Sequence, residues 1–136
     1  MTADGWLRTG DQGVVQPDGC LRITGRVKDI FKTSKGKYVA PAPIEDLLVK
    51  HPDVEACAVT GANMSQPLAV VMLSLDAVKR IADPAQKHAL TASLTHLLQE
   101  VNRQLEHHEQ LKCLAVVTTS WTPENAMVTP TFKVKR

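Results

Sequence analysis

Nine residues, Pro67-Leu-Ala-Val-Val-Met-Leu-Ser-Leu75, run without a charge and without the alternation of a strand that faces water on one side. Such a run marks a strand buried on both faces, so the fold has to supply cover above and below it. It is far short of the ~18 apolar residues that a membrane-spanning helix needs. The opening MTADGWLRTGD also lacks the basic-then-apolar layout of a signal peptide. The chain therefore reads as a cytoplasmic globular domain, with peripheral contact at the inner membrane face left open. Its 136 residues, 43% hydrophobic and 22% charged, can hold a core without disulfides or metal. Cys20, Cys57 and Cys113 are odd in number and far apart, which fits reduced packing cysteines and no CxxC metal site.

The elements around that strand follow from local chemistry. Gly13-Val14-Val15 and Leu21-Arg22-Ile23 flank Pro17-Asp18-Gly19, a turn between two short strands. Pro41 and Pro43 fit only a helix entry, and Ile44, Leu47 and Leu48 recur at helical spacing, so a helix is predicted over about Pro43 to Lys50, with Glu45 and Asp46 in its first turn. Val54 to Val59 alternates and is predicted to pair with the apolar run. After Asp83-Pro84, the residues Leu90, Leu94, Leu97, Leu98, Val101 and Leu105 lie on one face of a long amphipathic helix that His107-His108 would end. Leu114 to Val117 is a short strand, and Trp121 to Arg136 reads as irregular. The fold class is α+β: an N-terminal β-hairpin, then a small mixed sheet of about three strands packed with helices. The short loops look compatible with antiparallel connections.

Three stretches carry candidate chemistry. In Gly5-Trp-Leu-Arg-Thr-Gly-Asp11 a glycine turn precedes an aspartate; Asp11 either caps the turn or accepts hydrogen bonds from a ribose diol. Between Gly25 and Pro41, five cations (Arg26, Lys28, Lys32, Lys35, Lys37) face the single Asp29, with Gly36 between two lysines. That is either a solvated face or a mobile or ligand-facing turn suited to a phosphate-bearing ligand. In the last residues Lys133 and Lys135 alternate with Phe132 and Val134, which sets both lysines on one side of an extended segment. The histidines offer no metal spacing, and none is assigned as a ligand. A net charge of +2, 4% aromatic residues and the lack of an aromatic ribonucleoprotein motif argue against nucleic acid.

Taken together, GWLRTGD, GDQGVVQPDGCLRITGR, KDIFKTSKGKYVAPAPIE, HPDVEACAVTG and TPTFKVKR resemble the C-terminal portion of the AMP-forming acyl-CoA synthetases, most closely their long-chain fatty acid–CoA ligase branch. The resemblance implies that residues 1–27 belong with the family's large N-terminal domain and 28–136 form its mobile C-terminal lid. It implies nucleotide binding by Asp11 (ribose) and Arg26 (ribose or phosphate), a hinge at Lys28, and an adenylate and CoA-side loop containing Lys32, Gly36 and Lys37. Lys133 would be the catalytic lysine of the adenylation step, with Lys135 the alternative register. Phe132, where many relatives have glycine, would stiffen that loop. The implied substrates are a fatty acid, ATP with Mg, and CoA, the ATP held mainly by the large domain. The implied partner is the chain's own N-terminal domain, with no nucleic acid. Without that domain the chain is expected to be inactive, and the orphaned hairpin edges are expected to pair with a neighbouring chain, giving a dimer, or to lie against this domain's own surface. Other readings are an adenylating domain for another acid with a carrier-protein acceptor, or a non-catalytic CoA or nucleotide module.

Overall fold

A computed structural model describes residues 1–131 and 133–135. Strands β1 (Asp11–Val15) and β2 (Leu21–Arg26) form the expected antiparallel hairpin. Its turn closes as the residue types dictate: Gly19 takes φ +81°, and Asp18 Oδ1 accepts from the Cys20 N–H at 2.9 Å. The hairpin is a sheet of its own. The end of β2 approaches the rest of the domain, where a Cβ on Gly25 would sit 3.6 Å from that of Ala42. Trp6, Leu7, Val15 and Leu21 are exposed along this arm. A 3-10 turn, Val27–Asp29, leads out of it.

Strands β3 (Phe31–Lys32) and β4 (Tyr38–Val39) pair across the lysine loop. Helix α1 then spans Pro41–Leu48, two residues earlier than predicted. Pro41 and Pro43 both fall in its first turn, where N–H groups have no intrahelical acceptor, so neither proline removes a bond. Glu45 and Asp46 consequently lie beyond the first turn. Glu45 instead reaches strand β5 (Val54–Thr60), its Oε1 accepting from the Val59 N–H at 2.8 Å. Strand β6 (Leu68–Leu73) is shorter than the apolar run, because Ser74 caps a helix the sequence reading missed, α2 (Leu75–Arg80), by accepting from the Ala77 N–H. Helix α3 (Pro84–Arg103) begins at Asp83, whose carboxylate accepts from the Ala85 N–H. It ends before Leu105 and before His107-His108, which therefore do not end the helix.

Strand β7 (Leu114–Val117) completes a mixed sheet in the order β5-β6-β7. The β5–β6 pair is antiparallel as predicted, but β6–β7 is parallel, since α2 and α3 carry the chain back to its starting end. Asn102 fixes the return by bonding both the N–H and the carbonyl of Leu111 at 2.8 and 2.9 Å.

Central strand β6 is fully covered on one face and only in part on the other, where Leu68 and Val70 are half-buried and Met72 is buried. Ala69, Val71 and Leu73 face a core with Ile44 and Leu48 of α1 and Leu90, Leu94 and Val101 of α3. On the other face, Met72 Sδ accepts from the Trp121 N–H, and buried Val128 lies alongside. The segment read as irregular is thus the second cover. Its end is a small hairpin in which Val128 bridges Val134, and Lys135 N–H donates to the Met127 carbonyl. Phe132 and Arg136 lie outside the described residues. Cys57 is buried, but Cys20 and Cys113 are exposed, so two of the three cysteines are not core packing.

Candidate functional site

The first group of candidate residues sits at the foot of the hairpin. Asp11 and Arg26 are register partners across β1 and β2, with Arg26 Nε 3.6 Å from Asp11 Oδ1. Thr9 Oγ1 accepts from the Asp11 N–H, and the Asp11 carboxylate faces Arg26. Gly10, at φ +80°, makes the bend, and its carbonyl accepts from the Val27 N–H. The Arg26 and Asp11 side chains are 69% and 37% exposed, so the ion pair holds by only ~0–1 kcal/mol. Either group can exchange its partner for a ligand hydroxyl or phosphate at small cost.

The second group is the lysine loop. Thr33, a buried polar residue, organises it: the Thr33 N–H donates to the Lys37 carbonyl at 2.8 Å, and the Lys37 N–H returns to Thr33 Oγ1. The neighbouring turn pins the loop from outside, with the Asn63 N–H donating to the Lys32 carbonyl and the Ser34 N–H to the Met64 carbonyl. The loop is therefore tied down at its base. Gly36 takes φ +78° at its tip, a left-handed conformation that favours glycine. Lys32 Nζ lies 5.6 Å from the centroid of the Tyr38 ring, its cross-strand partner. Such an exposed cation–π contact is worth ~0.5–1 kcal/mol, enough to park the ammonium and little enough to release it. Tyr38 was not a sequence candidate; its place two residues past Gly36 and its aromatic ring were the available signal.

The third group is the tail hairpin. The Lys133 N–H donates to Thr129 Oγ1 and its carbonyl accepts from the Thr129 N–H at 2.8 Å, so both backbone groups are held while the side chain is exposed. Lys135 lines a cavity of about 580 Å³ together with Lys28, Asp29, Phe31 and Thr60. Among the described residues Lys28 and Lys135 line the same cavity, and Asp11 pairs with Arg26. It makes no contact from Lys133 to the Asp11–Arg26 pair or to the Lys32–Lys37 loop. The candidates are therefore three separate cationic presentations, each suited to a ligand supplied from outside.

One pair elsewhere has the look of a nucleophile and its base, His51 Nε2 being 2.9 Å from Ser93 Oγ. However, His51 Nδ1 accepts from the Asp53 N–H, so in the neutral ring Nε2 carries the proton and donates to the serine. That tautomer cannot deprotonate Ser93. The pair fastens the α1–β5 turn to α3. No three His, Cys, Asp or Glu side chains gather as metal ligands among the described residues, and no described helix is long and apolar enough to cross a membrane.

Residues 28–136 match a family model described as the AMP-binding enzyme C-terminal domain. The chain is 33% identical over 147 residues to the long-chain-fatty-acid–CoA ligase FadD15 of Mycobacterium tuberculosis, covering 98% of this chain and 24% of that protein. It is 34% identical over 152 residues to the peroxisomal long chain acyl-CoA synthetase 7 of Arabidopsis thaliana, covering 100% of this chain and 21% of that protein. In structure it is similar to the adenylation domain of a carboxylate reductase from Mycobacterium chelonae, with a TM-score of 0.77, 28% identity and coverage of 97% of this chain and 21% of that one. The A domain of the carboxylic acid reductase from Segniliparus rugosus, in complex with AMP and a co-purified carboxylic acid, gives a TM-score of 0.76 at 30% identity, covering 98% and 21%. The chain thus spans less than a quarter of the length of each of these proteins.

Proposed function

The chain belongs to the AMP-binding enzyme C-terminal domain family of the adenylate-forming enzymes, and on that premise we propose that it serves as the mobile lid of an ATP-dependent, AMP-forming long-chain fatty acid–CoA ligase. The observation that carries the reading is a coincidence of boundaries: the family match begins at Lys28, inside the 3-10 turn where the solvated hairpin gives way to the packed domain. A short turn at such a junction is where a hinge can absorb a change of φ and ψ. Residues 1–27 would then stay with the large domain, covering Trp6, Leu7 and the hairpin's apolar side chains, while residues from 28 onward move.

In the adenylation step a fatty acid carboxylate oxygen attacks the α-phosphorus of ATP and pyrophosphate leaves. Lys133 would stand between the two anions, offsetting their repulsion and the charge that develops on the α-phosphoryl oxygens. A group so placed is worth on the order of 10² to 10³ in rate. Its backbone is clamped by Thr129 on both sides, so the long side chain alone has to reach, and a compact ammonium on a flexible stem suits that task. Asp11 would accept from the ribose hydroxyls, with Arg26 released toward the ribose or phosphate. Rotation about Lys28 would withdraw Lys133 and bring in the loop from Lys32 to Lys37. There the thiol of CoA attacks the acyl carbonyl and AMP leaves. The Mg²⁺ that accompanies ATP would be held by the large domain.

The test is the separation of half-reactions in the ligase that contains this segment. Lys133→Ala should lower adenylate formation by at least 10²-fold and spare thioester formation from supplied acyl-adenylate. Equal loss of both half-reactions would count against the assignment. A second reading, an acid adenylated for transfer to a carrier-protein thiol, has support in the likeness to the two carboxylate reductase domains. Turnover with a phosphopantetheinylated carrier in place of free CoA distinguishes the two.

A further inference from the structure

We propose that the cavity between the Val27–Asp29 turn and the tail is an anion site for a phosphate-bearing small molecule, with Lys28 and Lys135 as its cationic ligands. The two lysines come from opposite ends of the domain and line one space of about 580 Å³, within the range of small-ligand pockets. Neither ammonium is in an ion pair among the described residues, so both are available to an anion. Two cations against the single carboxylate of Asp29 leave the wall positive. Half-buried Phe31 and Ala58 supply apolar wall, and Thr60 also lines the space. The backbone of Lys135 is fixed by its bond to the Met127 carbonyl, and that hairpin is anchored by buried Val128. A bound phosphoryl group would therefore tie the tail to the turn at which the lid is proposed to pivot. The site does not use Lys133, and its binding test does not depend on adenylation.

The experiment is an amide-resolved NMR titration of this 136-residue chain with sodium pyrophosphate, at ionic strength held constant with chloride, and in parallel with AMP. Saturable shifts should centre on Lys28, Asp29, Thr60 and Lys135. Lys28→Ala and Lys135→Ala should each weaken binding about tenfold, Lys135→Glu should abolish it, and the remote exposed Lys87→Ala should change it less than twofold. Tighter saturation by pyrophosphate identifies a free anion as the source, and tighter saturation by AMP a nucleotide phosphate; either supports the site. Shifts that do not saturate, that centre elsewhere, or that persist unchanged in both alanine variants would overturn it.

Discussion

Replacing Gly36 separates a backbone requirement from a functional one. At φ +78° an alanine is strained by ~1–2 kcal/mol. Its restriction of the unfolded chain returns ~0.4–1 kcal/mol. The new Cβ would sit 3.7 Å from Lys32 Cε, an ordinary contact, so no clash adds to the sum. Gly36→Ala should therefore cost about 1 kcal/mol, a fall in Tm of ~3–5 °C for a domain of this size. Asparagine tolerates the left-handed region better, so Gly36→Asn should cost less. If Gly36 keeps a channel open for the thiol of CoA, side-chain size sets the functional loss, and the order reverses. Denaturant unfolding should rank Gly36 above Asn above Ala, while thioesterification of supplied acyl-adenylate should rank Gly36 above Ala above Asn. A thioesterification loss that follows the stability order would refute the channel role and leave only the turn.

Glu45→Ala removes the acceptor of the Val59 N–H and should destabilise the domain by ~1–3 kcal/mol, with faster amide exchange at Val59; Glu45→Gln, which keeps an oxygen there, should recover part of it. Asp83→Ala removes the cap of α3 and should destabilise its N-terminus, read as faster exchange in the first turn of that helix. The Gln86 amide and the Ala85 N–H hold the Asp83 carboxyl below its ordinary value, so this cap contributes fully above the ordinary carboxylate pKa and is lost as pH falls through the lowered one. A pH-unfolding curve for Asp83→Ala should accordingly converge on the parent only in acid. Leu94→Ala, at 6% exposure in the core, should cost ~2–5 kcal/mol by denaturant unfolding.

What the sequence made legible is what neighbouring residues decide among themselves. Pro17-Asp18-Gly19 sets its own turn, Asp83-Pro84 starts α3, and the unbroken apolar run demanded cover on both faces, which is full on one and partial on the other. The identity of the second cover was not legible, because Trp121 and Val128 meet Met72 through long-range contacts that leave no period in the tail. Ser74-Leu75 read as more strand, since a capping serine followed by an apolar residue has the same alternation as a strand edge. The parallel placement of β7 likewise depends on two helices spanning the sheet, a property of the connection rather than of Leu114–Val117. Among the site residues, Asp11 and Arg26 were found separately by motif, and their pairing followed from hairpin register. That Lys28 and Lys135 line one cavity had no local signature at all.

The account's central claim is that one domain serves two half-reactions by pivoting at Lys28. Lys28→Pro fixes φ at that position and restricts Val27 before it, so it should hold the lid in one arrangement. Single-turnover measurement of each half-reaction in the ligase should then find adenylation largely intact and thioesterification strongly slowed. Loss of adenylation with thioesterification preserved, or equal loss of both, would contradict it.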